Sequence, residues 1–422
     1  MSRPYLIVGA SLAGLRAAES LRKYGYMGEI VLVGDELHRP YDRPPLSKAM
    51  LTGELEPSQS ELPEAVALDV TWKLGSAARS LDLDARSIKL ANGEELPFEK
   101  LLITTGTRAR LWHDEKERQI KGVYCLRTRD DAANLRKHIS ATQGRVIIIG
   151  AGFIGCEIAS VLQKIGRSVT VIERSEIPLA NALGSYVGTA ILKAHRDGGV
   201  DVRTATEVRS IDSDERGHFT SVSLGDGTKL TGDLCIVALG AVRNSEWLEK
   251  TEICLDERGV HTDEKCQVLA RDGSVLPGLY AAGDIACWPS VLYDGKRVAI
   301  EHWSNAVEQA RAAAHNMAMP ESEAQHYDYL PTFWSNQAGR TIKSVGLPSV
   351  GEQVVIAQGS LDSGRFVAVY GSNGKIVAAV SVDHGRFLDH YAQLVKEKQS
   401  FPPEMRTVEP STNSDSISFS ND

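Results

Sequence analysis

Two glycine-rich turns in this sequence have the residue types and spacing that bind a dinucleotide. They contain Gly9, Ser11 and Gly14 in the first turn and Gly150, Gly152 and Gly155 in the second. The first glycine permits a sharp bend, a small middle residue admits a pyrophosphate to backbone N–H groups, and the last lets the helix pack closely. Serine replaces the usual middle glycine in the first turn, but it is small and its hydroxyl can bond phosphate. We expect both turns to bind a pyrophosphate.

An acidic residue follows each turn, where a ribose hydroxyl would need a partner. Asp35 lies 26 residues after Gly9, and Glu173 lies 23 residues after Gly150. Glu173 would accept a bond from a ribose 2′-hydroxyl and repel a 2′-phosphate. Arg174 beside it would instead accommodate phosphate. On balance the pattern favours NADH over NADPH at the second turn.

A stiff cationic loop, "RPYDRPPLSKAML", begins at Arg39 and contains no cysteine. Its prolines restrict the backbone, and Lys48 supplies a point charge. The chain has six cysteines elsewhere, and they form no CxxC pair or disulfide framework: Cys125, Cys156, Cys235, Cys254, Cys266 and Cys287. We expect these to be buried, unreactive thiols.

The strands and the helix around each glycine turn occur as a repeat in the sequence. Residues 4–36 and 144–176 each contain an apolar strand, a glycine turn, a helix and a second strand. This repeated βαβ unit predicts two doubly wound dinucleotide-binding domains, the first for FAD and the second for NAD(P)H. A further strand ending, "GLYAAGD", puts Asp284 where it can serve the flavin nucleotide.

The remaining segments predict other elements around the two units. "NAVEQARAAAHNMA" is rich in alanine and predicts a helix. From about Tyr327 the pattern predicts a small α+β domain with a hairpin at Asn373 and Gly374. The polar tail from about Arg406 predicts disorder.

Composition limits the classes of partner. The 422 residues are 42% hydrophobic and 24% charged, with a net charge of −8. No basic face is indicated, so we expect no nucleic-acid partner. No apolar run is long enough to cross a bilayer, and the N-terminus lacks a signal-peptide pattern. We therefore expect a cytoplasmic protein with no membrane association.

Five motifs occur in a specific order: "PYDRPPLSK", "GAGFIGCEIA", "LYAAGD", "EHWSNA" and "FWSNQ". Over about residues 4–390 the sequence resembles the FAD- and NADH-dependent ferredoxin reductases of cytochrome P450 and Rieske oxygenase systems, the putidaredoxin reductase-like family. It departs from the family pattern at Ser11, at Asn336, where aspartate is common, and in its polar tail.

The resemblance implies an α/β fold like that of glutathione reductase, with a C-terminal α+β interface domain. The FAD-binding domain would comprise residues 1–109 and 242–324, interrupted by an NADH-binding domain at 110–241. Residues 325–405 would form the interface domain and 406–422 a disordered tail.

The resemblance also implies roles for single residues. Lys48 and Glu157 would be catalytic. Lys48 would lie beside the flavin ring, and Glu157 would face the nicotinamide and pair with Lys48. FAD and NADH would be bound by Gly9, Ser11, Gly14, Asp35, Arg43, Lys48, Asp284 and Trp303, and by Gly150, Gly152, Gly155, Glu157 and Glu173. No metal site is implied.

The implied activity is hydride transfer from NADH to FAD, followed by single-electron transfer to a [2Fe–2S] ferredoxin. Disulfide reductases of this fold carry a redox-active cysteine pair, and "PPLSK" offers no such thiol. The ferredoxin would dock near the flavin edge, on a face for which the candidates are Arg311, Trp334, Arg340, Lys343 and Arg386. Alternatives are a rubredoxin or quinone reductase, or a slow signalling flavoprotein like apoptosis-inducing factor.

Overall fold

The computed structural model describes residues 3–404, 407–408 and 417–418. It separates into two compact units, which comprise Met1–Asp42, Ser60–Arg108 and Val242–Pro331 in unit 1 and Arg43–Gln59, Ala109–Ala241 and Thr332–Asp422 in unit 2. The α-helices of the described residues are α1 (Leu12–Lys23), α2 (Ala49–Thr52), α3 (Arg129–Ala141), α4 (Phe153–Lys164), α5 (Ala180–Asp197), α6 (Trp303–Ala318) and α7 (Leu388–Lys396). None of them is long and apolar enough to span a membrane.

Unit 1 is built on a six-stranded sheet that is parallel except at one edge. Its strands, in spatial order, are Gln267–Leu269, Val275–Ala281, Lys100–Ile103, Tyr5–Val8, Ile30–Val33 and Thr71–Lys73. Strands buried on both faces read as continuous apolar runs, and Tyr5–Val8 and Ile30–Val33 are buried at every position. The carboxyl ends of these parallel strands therefore meet at one edge, where the first glycine turn begins.

Smaller sheets and two helices complete unit 1. The sheets are Ala78–Asp82, Ser87–Leu90 and Glu95–Pro97, and Leu255–Asp256, Gly259–His261, Ala286–Pro289 and Arg297–Val298. Helix α1 packs against α6, the alanine-rich helix predicted from the sequence. Small alanine side chains let these two helices approach closely beside the sheet.

Unit 2 contains a five-stranded parallel sheet. Its strands, in spatial order, are Asp201–Arg203, Val169–Ile172, Val146–Ile149, Leu234–Val237 and Val123–Tyr124. The antiparallel strands Val208–Ser213, Phe219–Leu224 and Lys229–Thr231 form a separate three-stranded sheet. Apolar side chains from both sheets share one core, which includes Ile147, Phe219 and Val222. Strands Thr107–Ala109 and Ala241–Arg243 form a two-stranded sheet.

The C-terminal part of unit 2 is a mainly antiparallel sheet. Its strands, in spatial order, are Thr332–Gln337, Arg340–Gly346, Lys375–Val382, Arg365–Ser372, Gln353–Ser360 and Thr407–Val408, and Ile417–Ser418 also pairs with Gln353–Ser360. Apart from these two short strands, the predicted disordered tail lies outside the described residues. The hairpin at Asn373 and Gly374 is present, with φ of 50° and 71°, as a type I′ turn requires.

Local sequence explains how key helices and turns begin. Thr128 Oγ1 accepts a bond from Asp131 N at 3.1 Å, and Asp131 Oδ2 accepts one from Thr128 N at 2.8 Å. This reciprocal capping satisfies two free N–H groups at the start of α3. Prolines at Pro44 and Pro45 start a 3₁₀ turn that ends at Ser47, so Lys48 stands directly before α2.

The two units group the predicted domains differently from the linear boundaries. Unit 1 holds both segments assigned to FAD, except residues 43–59 and Ala109, which cluster with unit 2. Unit 2 holds the segment assigned to NADH together with the C-terminal sheet. The domain boundaries drawn from the sequence stay a prediction.

Candidate functional site

The first glycine turn, in unit 1, is forced by close contacts of the backbone. Gly9 has φ of +124°, and an added Cβ would lie 2.1 Å from Thr104 O. A Cβ at Gly14 would lie 2.0 Å from Gly9 O. Helix α1 can therefore start against the strand only if both positions lack a side chain.

The second turn, in unit 2, repeats this geometry. Gly150 has φ of +103°, and a Cβ at Gly155 would lie 2.1 Å from Gly150 O. By contrast, a Cβ at Gly152 would meet nothing within 4 Å. The protein itself leaves the middle position open, which explains why the first turn tolerates Ser11 there.

The open space lies at the start of α4, and it fits a dinucleotide. The first N–H groups of a helix have no partner within the helix and favour negative charge. Gly152 is the residue that precedes α4, and it adds no side chain in front of those groups. Ser11 takes the same place before α1. The residues present at both turns therefore suit the pyrophosphates of FAD and NADH.

Asp35 and Glu173 do not occupy equivalent positions after their strands. Gly150 N donates to Ile172 O, and Gly9 N donates to Val33 O, each at 2.8 Å. Glu173 follows Ile172 directly, whereas Gly34 takes that place in the first unit and Asp35 comes one residue later, exposed. A Cβ at Gly34 would lie 2.7 Å from the Cβ of Ala10, so no side chain fits there.

Glu173 is held on the second turn by backbone donors. Its Oε2 accepts a bond from Ala151 N and its Oε1 accepts one from Ser175 N, both at 2.8 Å. The carboxylate therefore stands beside the glycine turn at a fixed place. This is where a ribose hydroxyl of a nucleotide bound to the turn would need an acceptor.

The other residues assigned to FAD are distributed over both units. In unit 1, Asp284 Oδ2 accepts a bond from Thr107 Oγ1 at 3.3 Å, and Trp303 Nε1 donates to Asp42 Oδ1 at 2.9 Å. Trp303 is partly exposed at the start of α6. In unit 2, Arg43 donates to Arg127 O at 2.9 Å.

Lys48 and Glu157 form an ion pair inside unit 2. Lys48 Nζ lies 2.5 Å from Glu157 Oε2, and Ser47 Oγ donates to the same oxygen at 2.6 Å. Ser335 Oγ donates to the other oxygen, Oε1, at 2.6 Å. Glu157 is only 4% exposed. Three donors from two distant segments thus compensate one buried negative charge, as burial of a carboxylate requires.

Two members of this cluster, Ser47 and Ser335, are not among the site residues predicted from the sequence. Ser47 adjoins Lys48, and Ser335 adjoins Trp334 in "FWSNQ". The strand Thr332–Gln337 alternates, so Ser335 and Gln337 are buried while Trp334 and Asn336 are exposed. The period of two in a strand was the signal that could have separated these roles.

Of the five residues predicted to face a partner, two arginines are paired with acidic side chains. Arg311, in unit 1, lies 2.7 Å from Glu308, and Arg340, in unit 2, lies 3.1 Å from Asp383. Trp334 is 40% exposed and stands opposite Lys343 in strand register.

Lys343 and Arg386 keep their positive charge uncompensated. Within the described ranges neither has an acidic partner, and both are exposed. The Lys343 stem lies against Gly385, next to Arg386. We use the name docking face for Trp334, Lys343 and Arg386, which stay a predicted partner surface.

The cysteines are mostly as expected from the sequence. Burial raises the pKa of Cys125 to about 11 and of Cys156 to about 12, and it raises the pKa of Cys235, Cys266 and Cys287 as well. Cys254 differs because its Sγ lies 3.4 Å from His261 Nδ1. In the described part of the chain, no cluster of three or more His, Cys, Asp or Glu side chains could hold a metal ion.

Two family models match the chain. Residues 3–310 match the model described as pyridine nucleotide-disulphide oxidoreductase, and residues 332–413 match the one described as reductase C-terminal. The first match includes both glycine turns and Lys48. The second includes the strand that carries Trp334 and Ser335.

Several curated proteins are similar along most of this chain. The ferredoxin reductase component of chlorobenzene dioxygenase from Cupriavidus sp. (strain PS12) is 33% identical, over 96% of this chain and 95% of the relative. Rhodocoxin reductase from Rhodococcus erythropolis is 33% identical, over 92% and 87%. Apoptosis-inducing factor 3 from Homo sapiens is 32% identical over 92% of this chain, but the chain spans only 62% of that protein's length.

Two solved structures resemble this chain over most of its length. Putidaredoxin reductase, in its covalent complex with putidaredoxin, has a TM-score of 0.87 at 29% identity and covers 94% of this chain and 93% of its own. The ferredoxin reductase for the CYP199A2 system from Rhodopseudomonas palustris has a TM-score of 0.86 at 30% identity, with 96% and 97% covered. These likenesses confirm the fold class and the family resemblance inferred from the sequence.

Proposed function

Because this chain belongs to the pyridine nucleotide-disulphide oxidoreductase family, we propose that it is an FAD-dependent NADH:ferredoxin reductase of an oxygenase system. In this role it takes hydride from NADH and delivers single electrons to a [2Fe–2S] ferredoxin. The ferredoxin in turn feeds a cytochrome P450 or a Rieske oxygenase. The names of its relatives from Cupriavidus and Rhodococcus support this assignment.

The observation that carries the proposal is the cluster at Ser47 and Lys48. This loop contains no thiol, and its lysine is paired with a buried carboxylate, Glu157. A protein that reduces a disulfide uses a cysteine thiolate, one or a pair, to exchange with it beside the cofactor. Without any thiol in the loop, electrons leave for an acceptor that approaches the protein surface.

Bound FAD supplies the redox chemistry, since it can accept a hydride and release two electrons one at a time. The protein's own residues supply position and charge. Lys48 would present an ammonium toward bound FAD, and its positive charge would favour the reduced, more negatively charged flavin. Glu157, with Ser47 and Ser335, fixes the direction of the ammonium.

In this proposal, the second glycine turn discriminates between NADH and NADPH. Glu173 is anchored by Ala151 N and Ser175 N, so its carboxylate cannot easily move away from an incoming phosphate. A 2′-phosphate carrying roughly −2 charge would be repelled there. NADH is therefore the expected donor.

The docking face is the proposed contact for the ferredoxin. Trp334 supplies exposed apolar area, and Lys343 and Arg386 supply positive charge. Small ferredoxins are commonly acidic, and complementary charge speeds the encounter of two proteins. Arg311 and Arg340 contribute less because acidic neighbours compensate them.

Anaerobic rapid mixing tests the proposal. The full-length protein, purified with FAD, is mixed with NADH, and the loss of flavin absorbance is followed. A [2Fe–2S] ferredoxin is then added and its own bleaching is recorded. We expect both steps to be fast enough for many turnovers per second. Flavin that NADH reduces but that never passes electrons to any ferredoxin would overturn the choice of acceptor.

A second candidate is a slow flavoprotein of the kind represented by apoptosis-inducing factor 3, favoured by the 32% identity to that protein. This function predicts slow oxidation of NADH and a long-lived charge-transfer band after mixing. The same traces distinguish the two candidates. A rubredoxin or a small quinone, offered in place of the ferredoxin, tests the remaining alternatives.

A further inference from the structure

A line of buried polar side chains runs from Glu157 away from Lys48. Ser335 Oγ donates to Glu157 Oε1 at 2.6 Å, and Gln337 Nε2 donates to Ser335 Oγ at 3.0 Å. Gln337 Oε1 lies 3.2 Å from His195 Nε2. We call Glu157, Ser335, Gln337 and His195 the buried array.

The buried array joins three elements of unit 2. Glu157 lies on α4, Ser335 and Gln337 on the strand Thr332–Gln337, and His195 near the end of α5. The four residues are 4%, 0%, 1% and 3% exposed, respectively. Buried polar groups of this kind must find partners in the protein, so each member restricts the next.

The donors of the buried array all point toward the carboxylate. Gln337 Nε2 gives its hydrogen to Ser335, so its Oε1 is left to accept one from His195. His195 must then carry its proton on Nε2. Its Nδ1 is buried and has no hydrogen-bond partner in the part of the chain that the structure describes. Burial also lowers the pKa of His195, which favours the neutral ring.

We propose that Ser335, Gln337 and His195 are positioning residues that fix the Glu157 carboxylate and, through it, the Lys48 ammonium. The inference rests on the proposed function, in which Lys48 faces the flavin. Ser335, held in turn by Gln337, donates to Oε1, so the carboxylate keeps its Oε2 directed toward Ser47 and Lys48. The lysine therefore has one preferred position rather than two.

The buried array does not fit a path for protons. A relay needs groups that accept and release a proton in turn, and the amide of Gln337 has a poor tendency to do either. At the far end, His195 Nδ1 meets no group among the described residues that could donate a proton to it. Orientation of a charge is the role that these contacts support.

Chemical labelling of Lys48 measures this role without relying on turnover. The full-length protein, with and without added FAD, is exposed briefly to acetic anhydride, and the label on Lys48 is quantified by mass spectrometry. Ser335→Ala frees one carboxylate oxygen, so Lys48 becomes mobile. We expect its labelling rate to rise about threefold to tenfold, the scale of the net contribution of one hydrogen bond.

The effect should decrease with distance from Glu157. We expect Gln337→Leu to raise Lys48 labelling less than Ser335→Ala, and His195→Leu less again. His195→Gln keeps an N–H donor near the position of Nε2, so this variant should behave like the unmodified protein. The flavin midpoint potential should shift in the same order.

Ser344→Ala is the matched control. Ser344 is a buried serine in the same sheet, and none of the hydrogen bonds among the described residues joins it to Glu157. Lys48 labelling that is identical in Ser344→Ala and in all buried-array variants would overturn the inference. An effect that follows loss of thermal stability instead of distance from Glu157 would overturn it too.

The outcomes separate the two proposals. If the protein binds no FAD or accepts no hydride, the proposed function fails, while Lys48 labelling still reports on the buried array. If the protein turns over normally and labelling does not depend on Ser335, the inference fails alone. Should Ser335→Ala not fold, the comparison of His195→Leu with His195→Gln still decides.

Discussion

Glu173 is the single side chain that we expect to decide between NADH and NADPH. Its carboxylate is anchored on the second glycine turn by two backbone N–H groups. Replacing it with alanine removes both the acceptor for a ribose hydroxyl and the charge that opposes phosphate. We predict that Glu173→Ala lowers the preference for NADH, measured as a ratio of kcat/KM values, by about tenfold.

Glu176→Ala is the control for that prediction. Glu176 is an exposed acid three residues further along the same segment, so it changes the net charge equally. The Glu176→Ala variant should prefer NADH as strongly as the unmodified protein does. Equal kcat/KM for both nucleotides in the unmodified protein would contradict the assignment of Glu173.

Cys254 should be the most reactive of the six cysteines. Burial raises the pKa of the other five, so very little thiolate is present at pH 7 at those sites. Cys254 is only partly buried, and His261 Nδ1 lies 3.4 Å from its Sγ as an acceptor for the thiol proton. His261 Nε2 in turn lies 3.0 Å from Asp256 Oδ2.

We predict that iodoacetamide at pH 7 alkylates Cys254 first and that reduction of FAD by NADH is unaffected. His261→Leu should slow the alkylation several-fold. The other five thiols should react appreciably only as the pH rises toward their raised pKa values. Peptide mapping after timed alkylation checks this, and earlier labelling of Cys125 would contradict it.

At the scale of elements, the second βαβ unit separates the roles of two glycines. A Cβ at Gly155 would lie 2.1 Å from Gly150 O, so alanine there must push α4 off its strand. A Cβ at Gly152 would meet no protein atom within 4 Å. Gly155 is therefore needed for packing, and Gly152 is needed for the ligand.

We predict that Gly155→Ala destabilises the protein by about 1–3 kcal/mol, the usual cost of overpacking. Gly152→Ala should leave thermal unfolding almost unchanged and raise KM for NADH. Calorimetry and steady-state kinetics on the pair of variants check both effects. A stable Gly155→Ala protein with normal KM would show that α4 shifts without consequence.

At the scale of the whole molecule, charge governs how a partner approaches. The chain has a net charge of −8 and a pI of about 5.8, so it repels acidic proteins on average. A local positive surface must overcome this. We predict that ferredoxin reduction slows as ionic strength rises, whereas reduction of ferricyanide by NADH changes less.

The docking face gives this prediction a specific variant. Lys343→Glu should raise KM for ferredoxin severalfold and leave KM for NADH unchanged. Lys375→Glu is the control, since it makes the same charge change on an exposed lysine of the same sheet. Lys343 pairs in register with Ser381 on the neighbouring strand. Lys375 lies six residues before Ser381 on that strand, so it is about 20 Å from Lys343. Equal KM values in the two variants would move the docking face elsewhere.

The features that depend on neighbouring residues could be predicted from the amino-acid sequence alone. The two glycine turns, the alanine-rich helix and the hairpin at Asn373 and Gly374 follow from backbone freedom and local propensity. They could be predicted because φ and ψ respond mainly to residues a few positions away. The ordered motifs also carried the family resemblance along most of the chain.

The contacts between side chains remote in sequence became known only from the folded structure. Glu157 joins Ser47, 110 residues before it, and Ser335, 178 residues after it. The first unit also puts Gly34 where the second has Glu173, because the Cβ of Ala10 leaves no room for a side chain. Such partners are set by the packing of segments remote in sequence, and hydrogen bonds depend steeply on distances that local patterns do not fix.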